Sequence, residues 1–136
     1  MENSRFKFRA WDKKRKKIYE VGFIDFSLEF VRCNNIQARD FDQMNIMQFT
    51  GLKDKNGVEI YEGDVLKVAS NGYANYISAY GDNCKVEYNE DRCGYIATTG
   101  NGYDTRNAFD LNCDAEIEVI GNIYENPELL RWNYYS

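Results

Sequence analysis

Three carboxylates in one short stretch, Glu59, Glu62 and Asp64, have the spacing best suited to chemistry in this chain. A turn that gathered them would make a cation site or a paired-carboxylate acid–base site. Acids beside a glycine such as Gly63 ordinarily solvate a turn, and that is the expectation here. Asp54-Lys55-Asn56-Gly57 starts like a calcium loop, but its glycine comes too early and the twelfth position is Val65 instead of Glu. The chain has no histidine, which removes the commonest general base, the serine and cysteine triads and most metal centres. Gly100-Asn101-Gly102 lacks the Lys-Ser/Thr ending of a phosphate loop, and no helical pattern follows it. Cys33, Cys84, Cys93 and Cys113 have no close pairing, so zinc would need thiolates from distant strands. They are expected to be reduced thiols acting as small apolar fillers. The expectation is no enzyme, no metal and no cofactor.

Charge is unevenly spread. The net charge is −5, yet Met1 to Glu20 carries eight Lys and Arg against three acids, +5. Nine basic and nineteen acidic residues remain, −10, in the rest of the chain. An acidic body repels nucleic-acid backbones, so such contact would run through the arm: Arg5, Arg9, Lys13, Lys14, Arg15, Lys16 and Lys17, with Trp11 for base stacking. A solvated hairpin tip is the plainer reading of the Lys13 to Lys17 run.

The elements that would position these groups are strands. With 11 Tyr, 8 Phe, 2 Trp and one Pro, the composition favours them over helices. Arg5 to Trp11 alternates, Asp12 to Lys16 makes a turn, and Lys17 to Val21 returns. After Gly22, Phe23 to Arg32 keeps a period of two and predicts a third strand, which Cys33-Asn34-Asn35 breaks. Ile36 to Met44 is open between a short helix and a loop. Met47 to Val68 reads as a strand, a bend at Gly51, an Asn56-Gly57 hairpin turn of type I′, a short strand, a Glu62-Gly63-Asp64 turn and another strand. Ala69 to Asn83 reads as a tyrosine-rich loop, offering either a recognition surface or cover for a sheet edge. Cys84 to Asn89 and Cys93 to Thr98 predict a hairpin, and Glu116 to Ile120 a strand. Asn126 then caps a short C-terminal helix with Pro127 at its first position, packing through Leu129, Leu130 and Trp132.

The run TGLKDKNGVEIYEGD at Thr50 to Asp64 resembles the YopX family of phage and prophage proteins. KFRAWDKKRKK at Lys7 to Lys17 is similar to the family's opening, and EVIGNIYENPELL at Glu118 to Leu130 to its close. Phe49 and Val58 stand where family members would have Tyr and Lys. The matching positions are Thr50, Gly51, Leu52, Asp54, Asn56, Gly57, Ile60, Tyr61, Glu62, Gly63 and Asp64, read as structural. The resemblance implies a phage-derived, β-rich protein and supplies no mechanism.

The expected architecture is mainly β: one domain over 1–136, with subdomains at 1–45, an N-terminal β-meander, and 46–136, a small SH3-like β-barrel closed by Glu116 to Tyr124 and followed by a short C-terminal helix. The expected function is a non-enzymatic interaction protein that binds a host or phage protein, with self-association into a homo-oligomer. The alternative is a nucleic-acid-binding module using the basic hairpin. With no long apolar run, no signal peptide or membrane span is expected, and the protein is placed in the host cytoplasm.

Overall fold

The computed structural model describes residues 3–68, 83–99, 108–111 and 116–130. The chain is mainly β, in antiparallel sheets, and its contacts divide it into two compact units, Met1–Phe49 and Thr50–Ser136.

In the first unit, β1 (Phe8–Asp12), β2 (Lys17–Asp25), β3 (Phe30–Cys33), β4 (Arg39–Asp40) and the start of β5 (Met44–Lys53) lie in the order β4-β3-β2-β1-β5. The alternation read in the basic arm places Ala10 opposite Tyr19 on one side and Ile46 on the other. Ala10, Val31, Cys33 and Met44 are buried together, with Tyr19, Val21, Ile24, Ile36, Phe41 and Ile46 packed on them. Burying a side chain such as Val31 contributes about 1.5–3 kcal/mol.

The third strand expected over Phe23 to Arg32 does not form as one piece. Gly22 lies inside β2, where the register slips between Val21 and Phe23. Such a bulge inserts one residue and reverses the facing of everything after it. That is why Val21 and Ile24, three apart, both reach the core cluster. The chain then turns at residues 26–29 because the Asp25 carboxylate accepts the Ser27 and Leu28 N–H groups at 2.9 and 2.8 Å and Glu29 takes φ 55°. The stretch left open between helix and loop holds β4 and a single 3-10 turn, Phe41–Gln43.

The second unit contains the end of β5, β6 (Glu59–Tyr61), β7 (Asp64–Val68), β8 (Asn83–Asn89), β9 (Gly94–Thr99), β10 (Ala108–Asp110) and β11 (Ile117–Asn122). Its five-stranded sheet runs β10-β9-β8-β7-β11 and is not closed: among the described residues the end strands β10 and β11 do not pair, which corrects the expected barrel. The outward backbone of β11 is bonded instead to the turn after β5, where Lys55 N–H meets the Ile117 carbonyl at 3.0 Å and Val119 N–H the Asp54 carboxylate at 2.9 Å. The core is Ile60, Leu66, Val68, Cys84, Val86, Ala97, Phe109, Leu111 and Ile117.

The β8–β9 hairpin forms as the sequence predicts, with Cys93 at φ 51° in its turn. Cys33 and Cys84 are buried free thiols, but Cys93 is an exposed one and not an apolar filler. After β11 the chain makes one 3-10 turn, Pro127–Leu130. Residues 69–82, the Gly100-Asn101-Gly102 stretch, Cys113 and Trp132 with its aromatic neighbours lie outside the described residues. No helix among the described residues is long and apolar enough to cross a membrane.

Candidate functional site

Asp54 organises the block from Thr50 to Asp64. It is 7% exposed, and its Oδ1 accepts the N–H groups of Asn56 and Val58 at 2.8 and 2.9 Å while Oδ2 accepts that of Val119. Burial alone would push this carboxyl up, but the bonds from Val119, Val58 and Asn56 outweigh it and hold the pKa below the ordinary carboxylate value. The turn is therefore built on an Asp side chain and is not type I′: Gly57 takes φ 82° and Asn56 does not have a positive φ.

The other positions of the block support the same structure. Thr50 Oγ1 donates to the Ile60 carbonyl at 2.7 Å and accepts the Leu52 N–H, and Gly51 takes φ 87°. Asp64 is buried and accepts the Tyr61 N–H at 2.8 Å. Gly63, at φ 82°, donates to the Val86 carbonyl and accepts from Ile123. Among the described residues no group of three or more acidic or thiol side chains gathers into a metal site. The carboxylates singled out by spacing are thus not brought together. Glu62 instead lies near Tyr95, whose hydroxyl is pushed up to about 12 by burial first and then by Glu62 and Tyr88.

The basic hairpin is shaped by a residue that its charge pattern concealed. Asp12, 1% exposed, accepts the Lys14 and Arg15 N–H groups at 3.0 and 2.9 Å and pairs with the Arg15 guanidinium at 3.2 Å. Arg39 approaches the same carboxylate at 3.7 Å. Burial opposes ionisation of Asp12, and the Arg15 and Lys14 bonds more than offset it, so its pKa is lowered. Lys13 through Lys17 are all exposed, although Lys13 Nζ is bonded to the Asp42 carbonyl at 2.9 Å. Arg5 stacks on Phe6 at 4.5 Å, while Arg9 and Trp11 are half-buried within the sheet.

A surface that sequence reasoning did not single out lies on the β2–β3 hairpin. Phe26 and Leu28 are each 73% exposed and Phe23 is 49% exposed. Phe23 packs on Phe30 at 5.8 Å, Phe26 meets Phe41 edge-on at 6.1 Å, and the Arg32 guanidinium lies 5.7 Å from the Phe23 ring. Beside Phe23 opens a groove of about 650 Å³ lined by Gly22, Phe23, Arg32, Asn34, Asn35 and Gln37 among others. The only sequence signal was the excess of aromatic residues before Cys33, which the period-two reading assigned to one strand.

The family model described as YopX protein matches residues 7–131. A crystal structure of protein EF1440 from Enterococcus faecalis is 32% identical, over 92% of this chain and 97% of that one, with a TM-score of 0.58. The crystal structure of protein YopX from Bacillus subtilis is 18% identical, over 93% and 97%, with a TM-score of 0.60, and shows the likeness of fold. Among curated proteins none matches.

Proposed function

The chain belongs to the YopX family, and from that premise we propose that it is a non-enzymatic interaction protein of phage or prophage origin that binds a host or phage protein. The observation that carries this reading is the apolar hairpin Phe23, Phe26 and Leu28, kept in water at about half to three-quarters exposure. Large apolar side chains left this exposed on one short hairpin are candidates for contact with a partner. In this reading the protein acts in the host cytoplasm and self-associates. The five short antiparallel strands of the second unit support an SH3-like arrangement without closure, from which no function follows.

The test is a tagged pull-down from host lysate after nuclease treatment, with wild type and a Phe26→Ser, Leu28→Ser variant side by side. A discrete protein captured by wild type and lost by the variant is expected. Equal capture by both, or turnover of substrate on a hydrolase panel that Glu62→Ala abolishes, overturns the reading.

The exposure of Lys13 to Lys17 favours a second reading, nucleic-acid binding through the basic hairpin. It requires affinity that falls steeply with salt, because each neutralised phosphate releases a counterion. Anisotropy titration of an oligonucleotide against the Lys14→Gln, Lys16→Gln, Lys17→Gln variant checks it, and unchanged binding removes its basis.

A further inference from the structure

We propose that the groove beside the β2–β3 hairpin binds an acidic peptide segment, with the Arg32 guanidinium taking a carboxylate while Phe23 packs on the neighbouring apolar side chain. This rests on the interaction reading above and names the chemistry of the partner. Three observations carry it, all within the first unit.

The first is charge. Arg32 is exposed, and among the described residues its guanidinium contacts the Phe23 ring but forms no ion pair. No carboxylate is among the residues lining the groove. Glu20 stands at the rim, where it accepts from the Asn34 side chain at 3.4 Å and Asn34 N–H bonds its carbonyl. The groove thus presents one cation and no carboxylate. A single guanidinium suits one carboxylate, whereas a polyanion would find its row of cations on the basic hairpin at Lys13 to Lys17 and not in the groove.

Shape and donor type give the second. A guanidinium is a planar fork that matches a carboxylate in two parallel hydrogen bonds. Its centre lies 5.7 Å from the Phe23 ring, an apolar surface that the acidic segment's neighbouring side chains can also use. Asn35 and Gln37 add amide donors at the same wall. The groove is more open than enclosed, which suits a segment lying across it and not a small molecule sealed from water.

Backbone supplies the third. The bulge at Val21/Phe23 is what sets Phe23 opposite Arg32; an unbroken register continuing from Val21↔Cys33 would set it opposite Val31. Asn35 takes φ 65°, a left-handed conformation that Asn tolerates better than most side chains. Bulges and left-handed residues concentrate where a fold re-aims side chains toward a partner.

The experiment uses the full chain, ¹⁵N-labelled, titrated with three probes: a peptide alternating Glu and Leu, the same peptide with Gln for Glu, and an oligothymidylate. The Glu-Leu peptide is expected to shift the amide signals of Gly22, Phe23 and Arg32 through Gln37, and the Gln-Leu peptide to bind about two- to fivefold more weakly, the upper range of an exposed ion pair. Arg32→Gln should weaken the Glu-Leu peptide by a similar factor and leave the Gln-Leu peptide unaffected, with Arg32→Lys intermediate. Overlaid spectra away from the groove show that the variants are folded. Equal binding of both peptides, no shifts in the groove, or groove shifts produced by the oligothymidylate overturn the proposal. If it fails while the pull-down still depends on Phe26 and Leu28, the interaction reading stands and only the acidic partner is lost.

Discussion

The Asp54 carboxylate accepts the backbone N–H of Val119, sixty-five residues away, at 2.9 Å while it also holds two N–H groups of its own turn. One side chain therefore sets a local turn and ties it to the edge strand of the second unit's sheet. An amide at this position offers one acceptor oxygen in place of two. Asp54→Asn is expected to destabilise the protein by about 2–4 kcal/mol, the range for breaking a buried hydrogen-bond network. Urea unfolding at pH 7 measures it, and a change below about 0.5 kcal/mol would show that the bond to Val119 contributes nothing.

Asp12 and Asp54 both have folded pKa values depressed below the unfolded value, about 3.9 for Asp. The stability they contribute is present above the unfolded pKa and is lost as pH falls through the folded values. Acid should thus unfold the protein progressively from about pH 4 downward. The gap between wild type and Asp54→Asn should narrow over the same window, as circular dichroism melts at stepped pH would show. A gap that stays constant down to pH 2 would contradict this assignment.

Tyr95 behaves in the opposite sense. Its folded pKa is raised to about 12 by burial, with Glu62 and Tyr88 adding to it. The neutral phenol is the form the fold favours, so its contribution is complete below the unfolded pKa of about 10 and is lost as pH rises toward 12. Removing one nearby negative charge with Glu62→Gln should lower the Tyr95 value. Following the Cζ signal of ¹³C-labelled tyrosine through an alkaline titration reads this directly, and an unmoved midpoint in the variant would place the cause in burial and Tyr88.

Gly121 has no room for a side chain. A Cβ there would lie 2.5 Å from Asn126 Oδ1 and 3.0 Å from Asn126 Cβ. That amide oxygen accepts the Asn122 N–H at 3.2 Å. Gly121→Ala should therefore cost about 1–3 kcal/mol through forced displacement of Asn126. Combining it with Asn126→Gly should cost less than the sum of the two changes, because the clash needs both side chains. Strict additivity in thermal melts would rule the clash out.

Local chemistry was legible in the sequence where one element decided it. The place of the Asn56-Gly57 turn, though not its type, the β8–β9 hairpin and the alternation from Phe8 to Asp12 follow from period and turn residues, whereas Phe6 is exposed outside the strand. Phe23 to Arg32 was misread because its alternation runs on through residues that Asp25 and Glu29 fold into a turn. A carboxylate capturing two N–H groups outweighs a pattern of apolar spacing in so short a span. Gly22 read as a strand opener, yet it is the inserted residue of a bulge, and the Phe23–Arg32 pairing that frames the groove depends on that slip. Asp12 was hidden by the lysines around it. Asp54 stood out as part of a motif, but its reach to Val119 needs tertiary structure and leaves no periodic trace.

The bonds from Asp54 and Lys55 to β11 also bear on how copies of this chain behave at high concentration. An open sheet exposes rows of unused N–H and C=O groups at its margins, and such margins recruit strands from other molecules. On β11 the Ile117 carbonyl and the Val119 N–H are already taken by the chain's own turn. The turn at Asp54 and Lys55 thus blocks strand addition at those two positions of the margin, and loss of the Asp54 carboxylate would leave the Val119 N–H open to pairing with another chain.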